Sequence, residues 1–181
     1  MDFNNSKTKE CLQKAYAGES AAYTRYILYA QKAAQQNLPQ YEMLFYQTAK
    51  NELAHAQQWL WLLEKEGLPD TVDNLAIAAA GEHYEYSEMY PEFARQAREE
   101  GFNELAVKFE NVAKIEQYHK ERYEQMQKAI IENTLFEKSH PIHWVCQKCG
   151  FICESTTAPQ KCPVCGEARF MFAADTPLLL D

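Results

Sequence analysis

The chain has 181 residues, of which 46% are hydrophobic and 13% aromatic, enough for a well-packed domain with a small appended module. Acidic residues outnumber basic ones by 26 to 18, and the formal net charge of −8 disfavours nucleic acid and anionic membranes as partners. The apolar runs are too short for a membrane span, and the N-terminal residues lack the pattern of a signal peptide. We therefore expect a cytoplasmic protein.

Helix-breaking residues divide the first part of the chain into four amphipathic helices. Pro39 follows the end of the first helix and suits the first turn of the second. Pro91 lies inside the third, where it removes one hydrogen bond and is expected to kink the helix. The second, third and fourth helices are predicted over about residues 39–66, 73–100 and 103–133. This pattern predicts a mainly α fold, a four-helix bundle over residues 1–136.

The composition of the sequence changes after Phe136. Residues 137–143 are predicted to form a linker, and residues 144–181 a small β-rich module with two Cys-x-x-Cys-Gly knuckles. A module of this size is too small for a hydrophobic core alone, so a bound metal is expected to stabilise it.

A pattern of carboxylates and histidines occurs twice in the predicted helices. Glu19 is followed by Glu52-Leu-Ala-His55, and Glu82 is followed at nearly the same distance by Glu116-Gln-Tyr-His119. Positions i and i+3 share one face of a helix, so each Glu-x-x-His presents a carboxylate and an imidazole to one point. One Glu from each of two helices and Glu-x-x-His from each of the others is the di-iron or di-manganese carboxylate pattern. The alternative is that these residues are solvated glutamates and hydrogen-bonded core histidines. That alternative would explain any one of them, but it explains all six together poorly.

Three neighbouring residues extend this hypothesis. Glu85 lies one turn beyond Glu82 and is a candidate seventh ligand, with an exposed helix glutamate as the alternative. The phenols of Tyr26 and Tyr90 are candidates to hydrogen-bond the ligand carboxylates, or else ordinary core aromatics. His83 is expected on the surface.

These motifs resemble those of the rubrerythrins over essentially the whole chain. The matching segments are Ala17-Gly-Glu-Ser20 with Arg25-Tyr26, Glu52-Leu-Ala-His55, Ala80-Gly-Glu-His-Tyr-Glu85 with Glu88-Met-Tyr-Pro91, Arg98-Glu-Glu-Gly101, Glu116-Gln-Tyr-His119 and the cysteine knuckles. The resemblance implies a ferritin-like bundle that binds two iron ions through Glu19, Glu52, His55, Glu82, Glu85, Glu116 and His119. It also implies that one iron exchanges His55, bound in the reduced state, for Glu85 in the oxidised state.

The knuckle cysteines, Cys146, Cys149, Cys162 and Cys165, are spaced for a tetrahedral site holding zinc or a single iron. Taken alone, the module favours structural zinc, because zinc ribbons use the same knuckles. An upstream redox site favours iron instead, since electrons must reach that site, and the resemblance implies a rubredoxin-like module. Cys11 and Cys153 have no partner at ligand spacing and are expected to be free thiols.

A carboxylate-rich pair of iron ions suits the reduction of hydrogen peroxide to water, as the resemblance also implies, in oxidative-stress defence. The resemblance also implies that the electrons come from NAD(P)H. Because the sequence has no dinucleotide-binding fingerprint, an external NAD(P)H-dependent reductase or rubredoxin is expected to deliver them through the Fe(Cys)4 site. The alternatives are a ferroxidase using dioxygen, which needs no cysteine relay, and an adaptor with a zinc ribbon.

A homodimer is expected, because the fourth helix continues well past His119 and carries the cysteine module away from the metals of its own chain. The short connection after Gly67 leaves two arrangements open. Either the third and fourth helices exchange between the two chains, or the bundle is unswapped and residues 67–77 are extended.

Overall fold

Two long helices, α1 (Lys7–Gln35) and α2 (Pro39–Leu63), pack along each other. The structure is a computed structural model that describes residues 3–64 and 67–175. The chain forms two compact units, Met1–Pro69 and Asp70–Asp181, and α1 and α2 belong to the first. Ser6 caps α1 by accepting a hydrogen bond from the N–H of Lys9. Pro39 stands in the first turn of α2, as predicted. Buried alanines, among them Ala30 and Ala49, allow the two helices to approach closely.

The second unit begins with α3 (Thr71–Tyr84), capped by the carboxylate of Asp70. Since α3 starts at Thr71, the extended stretch 67–77 expected for an unswapped bundle does not occur. A π-helical turn, Glu85–Met89, follows α3 and leads directly into α4 (Tyr90–Glu99). This turn replaces the kink expected at Pro91, which lies in the first turn of α4, where a missing N–H is tolerated.

Helix α5 (Asn103–Ile131) returns along α3 and α4. Gly101 makes the turn between α4 and α5 with a φ of +86°, a conformation that favours glycine. The N–H of Phe102 then donates to the carbonyl of Ala97 at 2.7 Å and closes the end of α4. Ala94, Ala97 and Ala106 are buried at this end beside Phe109.

The C-terminal module is an antiparallel sheet in the order β2–β1–β3, made of β1 (Glu137–Cys146), β2 (Ile152–Thr157) and β3 (Phe172–Ala174). Residues 137–143, predicted as a linker, instead form the first part of β1, where Glu137 pairs with Thr157. Trp144 is 1% exposed and donates its indole N–H to the carbonyl of Ser155. The mainly helical fold with a small β-rich metal module is confirmed.

None of the helices within residues 3–64 and 67–175 combines the length and apolarity that crossing a membrane requires.

Candidate metal centres

Three predicted ligands meet in the first unit, on facing sides of α1 and α2. Nδ1 of His55 lies 3.0 Å from Oε2 of Glu52 and 3.7 Å from Oε1 of Glu19. A hydrogen bond between the carboxyl groups of Glu19 and Glu52, together with desolvation and the charge of Glu52, raises the pKa of Glu19. Two ionised carboxylates this close repel each other, and a bound cation would relieve that repulsion. We call this group half-site 1.

The second unit repeats the arrangement on α3 and α5. Nδ1 of His119 lies 2.7 Å from Oε2 of Glu116 and 3.6 Å from Oε1 of Glu82. Desolvation and the negative charge of Glu116 raise the pKa of Glu82, while the imidazole of His119 opposes this rise. In each group the ligand atoms all lie within 4.8 Å of one another, close enough to bind one ion. We call this group half-site 2.

Glu85 and Tyr90 accompany half-site 2. Glu85 is not one of the three residues whose ligand atoms lie within 4.8 Å, but its half-buried carboxylate lies near enough for its charge to raise the pKa of Glu82. Desolvation, and then the charges of Glu85 and Glu116, raise the pKa of the Tyr90 phenol. Tyr90 therefore stays protonated beside the carboxylates.

The other two neighbours lie in different surroundings. The Tyr26 ring packs against Tyr29 and Phe45, with centroids 6.1 and 6.3 Å away, as the Tyr90 ring packs against Phe93 and Phe109. His83 is exposed, as expected, and its Nδ1 lies 3.1 Å from the hydroxyl of Tyr86.

The four knuckle cysteines converge as predicted, with all four sulfur atoms within 4.8 Å of one another. The Sγ atoms of Cys146 and Cys165 are 3.6 Å apart, and so are those of Cys149 and Cys162. Tetrahedral coordination with metal–sulfur bonds of about 2.3 Å requires sulfur separations of about 3.8 Å. The separations are also far longer than a disulfide bond, and all four cysteines are free. The residues therefore fit a single tetrahedral ion.

Backbone groups of the knuckles favour the thiolate that a metal requires. Burial opposes ionisation of Cys162, but N–H groups of Cys165 and Val164 and the neighbouring thiols outweigh it, lowering its pKa to about 6. Lys148 forms an ion pair with Glu167 that joins the two knuckles. This pair was not predicted from the sequence, although both residues lie two positions after a knuckle cysteine.

The two cysteines outside the ligand set are free thiols, as expected. Cys11 is exposed. Cys153 packs against the core of the module, where desolvation and the charge of Cys162 raise its pKa.

Comparison with known proteins agrees with both centres. Residues 10–127 match the family model for rubrerythrin, and residues 144–173 match the rubredoxin-like domain of rubrerythrin. Rubrerythrin-1 of Clostridium acetobutylicum is 40% identical, with 88% of this chain and 90% of that protein covered. Rubrerythrin of Nitratidesulfovibrio vulgaris is 37% identical, with 92% of this chain and 93% of that protein covered.

This chain is also similar to nigerythrin in a solved structure of its mixed-valence state. The two sequences are 32% identical, the match covers 94% of this chain and 87% of that one, and the TM-score is 0.35. The two family matches and the relatives at 37–40% identity extend over both metal centres. The donor sets, carboxylates with imidazoles in the helices and four thiols in the sheet module, both fit iron. The chain therefore belongs to the rubrerythrin family and is an iron-binding oxidoreductase with a rubredoxin-like domain.

Proposed function

We propose that this chain reduces hydrogen peroxide to water at a di-iron centre and draws the electrons through its own Fe(Cys)4 site. The observation that carries the proposal is the pair of matching half-sites, each with two carboxylates and one imidazole, in a chain that also has a four-thiol site. An Fe(Cys)4 site carries one electron at a time. An adaptor or a ferroxidase needs no such site, whereas a peroxidase must be re-reduced after every turnover.

The ligands proposed for the two irons are Glu19, Glu52, His55, Glu82, Glu85, Glu116 and His119. When bound, two ferrous ions supply the two electrons of the reaction H₂O₂ + 2e⁻ + 2H⁺ → 2H₂O. The chain's own part is to hold and deliver the protons. The phenol of Tyr90, protonated beside Glu85 and Glu116, is the proposed donor at half-site 2. Tyr26 is proposed as its counterpart on α1.

Electrons are proposed to enter at the cysteine site. Cys146 and Cys162 are buried, whereas Cys149 is exposed, so the site has one side that faces solvent. Beside it, Val164 is 68% exposed and Ile152 54% exposed. An exposed thiolate ligand with apolar neighbours suits brief contact with a redox partner. The proposed partner is an external NAD(P)H-dependent reductase or a rubredoxin.

The chain is proposed to act as a homodimer whose di-iron centres each combine half-site 1 of one chain with half-site 2 of the other. Ferritin-like bundles contain one long crossover connection. Glu52 lies about 17 Å before the end of α2, and Glu82 about 17 Å after the start of α3, so a crossover within one chain must span about 33 Å. The eight steps from Leu63 to Thr71 span at most about 29 Å. This shortfall favours exchange between chains.

A single-turnover experiment tests the proposed reaction. In the Cys162→Ser variant, peroxide consumption supported by NAD(P)H and a reductase should cease, because the relay is lost. The same variant, reduced chemically and freed of excess reductant, should still consume one equivalent of hydrogen peroxide for each di-iron centre. Failure to consume peroxide, together with rapid oxidation by dioxygen, would instead identify a ferroxidase.

A further inference from the structure

Many residues of the two helical units correspond, so each unit can be compared with the other. The corresponding residues lie 64 positions apart: Tyr29 and Phe93, Phe45 and Phe109, Glu52 and Glu116, His55 and His119. The ring centroids of the two aromatic residues are 5.4 Å apart in the first unit and 5.7 Å apart in the second. Corresponding residues therefore have equivalent places in the two helix pairs, and a systematic difference in residue type between the units needs a physical reason.

Ion pairs of arginine and lysine line α4 and the neighbouring part of α5. They join Arg95 to Glu92 and Glu99, Arg98 to Glu110, and Lys120 to Glu124. The residues 64 positions earlier are Leu28, Gln31, Ala34, Gln35, Tyr46, Ala56 and Leu60. All seven of these are uncharged. The first unit is therefore uncharged at every position where the second unit has a member of these ion pairs.

Three apolar residues of α2, namely Tyr46, Leu53 and Leu60, recur every seven positions. Seven residues make about two helical turns, so these side chains lie on one side of α2. We call them the outer stripe. Tyr46 and Leu53 are each 37% exposed, and Leu60 is half-buried. The corresponding residues of α5 are Glu110, Gln117 and Glu124. Since the second unit forms its helix pair with polar residues at these positions, pairing of α1 with α2 does not explain the outer stripe.

The outer stripe lies away from the open side of half-site 1. Leu53 is about 160° from His55 around the helix axis. Leu44 and Leu62 are exposed and lie within about 20° of His55. The pairing of the two half-sites that is proposed above covers the side of His55, Leu44 and Leu62. It leaves the outer stripe in water, so this surface needs a separate partner.

We propose that the outer stripe packs against the outer stripe of a second copy of this chain. The contact is an antiparallel packing of the two α2 helices, with Leu53 at the two-fold axis. Tyr46 and Leu60 are each seven residues from Leu53, so Tyr46 of one copy meets Leu60 of the other. Such a contact uses the same surface on both copies. It goes beyond the proposed function and requires neither peroxide chemistry nor the exchange of helices.

The charge of the chain favours a second copy as the partner at this surface. Two copies with a net charge of −8 each repel one another, and they approach most easily where their surfaces carry little charge. Between Tyr46 and Leu60, Lys50 and Glu52 are the charged residues apart from His55, and Glu52 belongs to half-site 1. A partner recognised through its charge finds no complementary group in the outer stripe.

The size of the surface agrees with this partner. Helix α2 has 25 residues and is about 38 Å long. Two helices side by side are about 20 Å wide, so one side of the α1–α2 pair offers about 750 Å². A stable interface buries about 800 Å² on each partner. The α1–α2 pair of a second copy has the same dimensions and can cover this surface, whereas a short peptide would leave most of it in water.

Photo-cross-linking of the full-length protein tests the contact directly. A photoreactive p-benzoylphenylalanine replaces Leu53 or, in a second variant, Tyr46. Light and heavy-isotope-labelled chains are unfolded together, refolded with iron and irradiated, so that a cross-link between a light and a heavy peptide joins two copies. Position 53 should link to residues 46–60 of the other copy, and position 46 to residues near Leu60. The same label at Gln117 is the matched control and should not link to α5 of another copy. Absence of links between copies from positions 53 and 46, or a link from position 46 to residues near Tyr46, would overturn the proposal.

A double-mutant cycle provides a second measurement that needs no label. Tyr46 and Leu60 are about 21 Å apart along α2, so they do not touch within one chain. In the proposed contact they meet across two copies. The fall in thermal midpoint of the double variant Tyr46→Ala, Leu60→Ala should therefore be smaller than the sum of the single falls by at least about 2 °C. Glu110→Ala and Glu124→Ala, at the corresponding positions of α5, should be additive. Additive falls for Tyr46 and Leu60 would refute the contact.

Discussion

Nδ1 of His119 lies 2.7 Å from Oε2 of Glu116, three residues earlier on α5. The corresponding distance between His55 and Glu52 on α2 is 3.0 Å. In both helices the i, i+3 spacing brings a carboxylate and an imidazole to one point, and in both a second carboxylate comes from the neighbouring helix of the same unit. Each half-site is therefore a complete three-donor cluster built by one pair of helices.

We expect Glu116→Ala and His119→Ala each to lower peroxide turnover by at least about 100-fold, because each removes a proposed iron ligand. The visible spectrum of the cysteine site should stay unchanged, since its four ligands lie in the sheet module. His83→Ala is the control, because His83 is exposed and contacts Tyr86 instead of the cluster. Wild-type turnover in either ligand variant would show that the reaction takes place elsewhere.

The metal content of the pure protein distinguishes a redox relay from a structural zinc site. We expect three iron ions per chain and the red colour of Fe(III) bound to four thiolates. Cys149→Ser should lose the colour and one metal ion and keep the two irons of the helices. A colourless protein with one zinc and two irons per chain would show that the cysteine module stabilises its fold and does not carry electrons.

Exchange of helices between chains can be decided by mixing variants. Iron-free Glu52→Ala and iron-free Glu116→Ala are unfolded together, refolded and then supplied with iron. An exchanged heterodimer combines the intact half-site 1 of one chain with the intact half-site 2 of the other, so peroxide turnover should return in part. Each variant refolded alone is the control and should stay inactive. No recovery in the mixture would show that each centre is built within one chain.

The stability of the α4 region should depend on pH through Glu92. Hydrogen bonds from Arg95 and Gln96 lower the pKa of this carboxyl group from 4.5 to about 2. Since its pKa is lower in the folded state, the ionised group stabilises the fold above about pH 4.5, and this contribution is lost as the pH falls toward 2.

The thermal midpoint of Glu92→Gln should therefore lie below that of the wild type at pH 7, and the difference should shrink between pH 4.5 and 2. The effect will be small, because both side chains of the ion pair are about half exposed and solvent screens it. A difference that is independent of pH would show that the ion pair contributes nothing and that the substitution acts through helix packing.

Several features could be predicted from the sequence because local rules govern them. The Glu-x-x-His clusters depend on helical periodicity, and Pro39 can begin a helix whatever lies around it. The four-cysteine site depends on two tight knuckles whose spacing predicts convergence. The sequence also predicted that carboxylates and imidazoles converge, and the structure brings Glu19, Glu52 and His55 together in one cluster and Glu82, Glu116 and His119 in another.

Other features depend on contacts between distant residues. Residues 137–143 have the composition of a linker, and only their pairing with β2 makes them a strand. Pro91 predicts an interruption of the third helix, but whether the helix kinks or forms a π-turn depends on where Tyr90 and Phe93 must pack against Phe109.

The sequence by itself therefore determined which residues are candidate metal ligands and which chemistry they suit, because residue type and helical or knuckle spacing are enough for both. Only the tertiary structure decided which carboxylates are neighbours, Glu19 with Glu52 and Glu82 with Glu116. It alone showed that a π-turn over Glu85–Met89 joins α3 to α4. The physical reason is that packing of aromatic side chains across two helices selects the register, and no pattern within one helix contains that information.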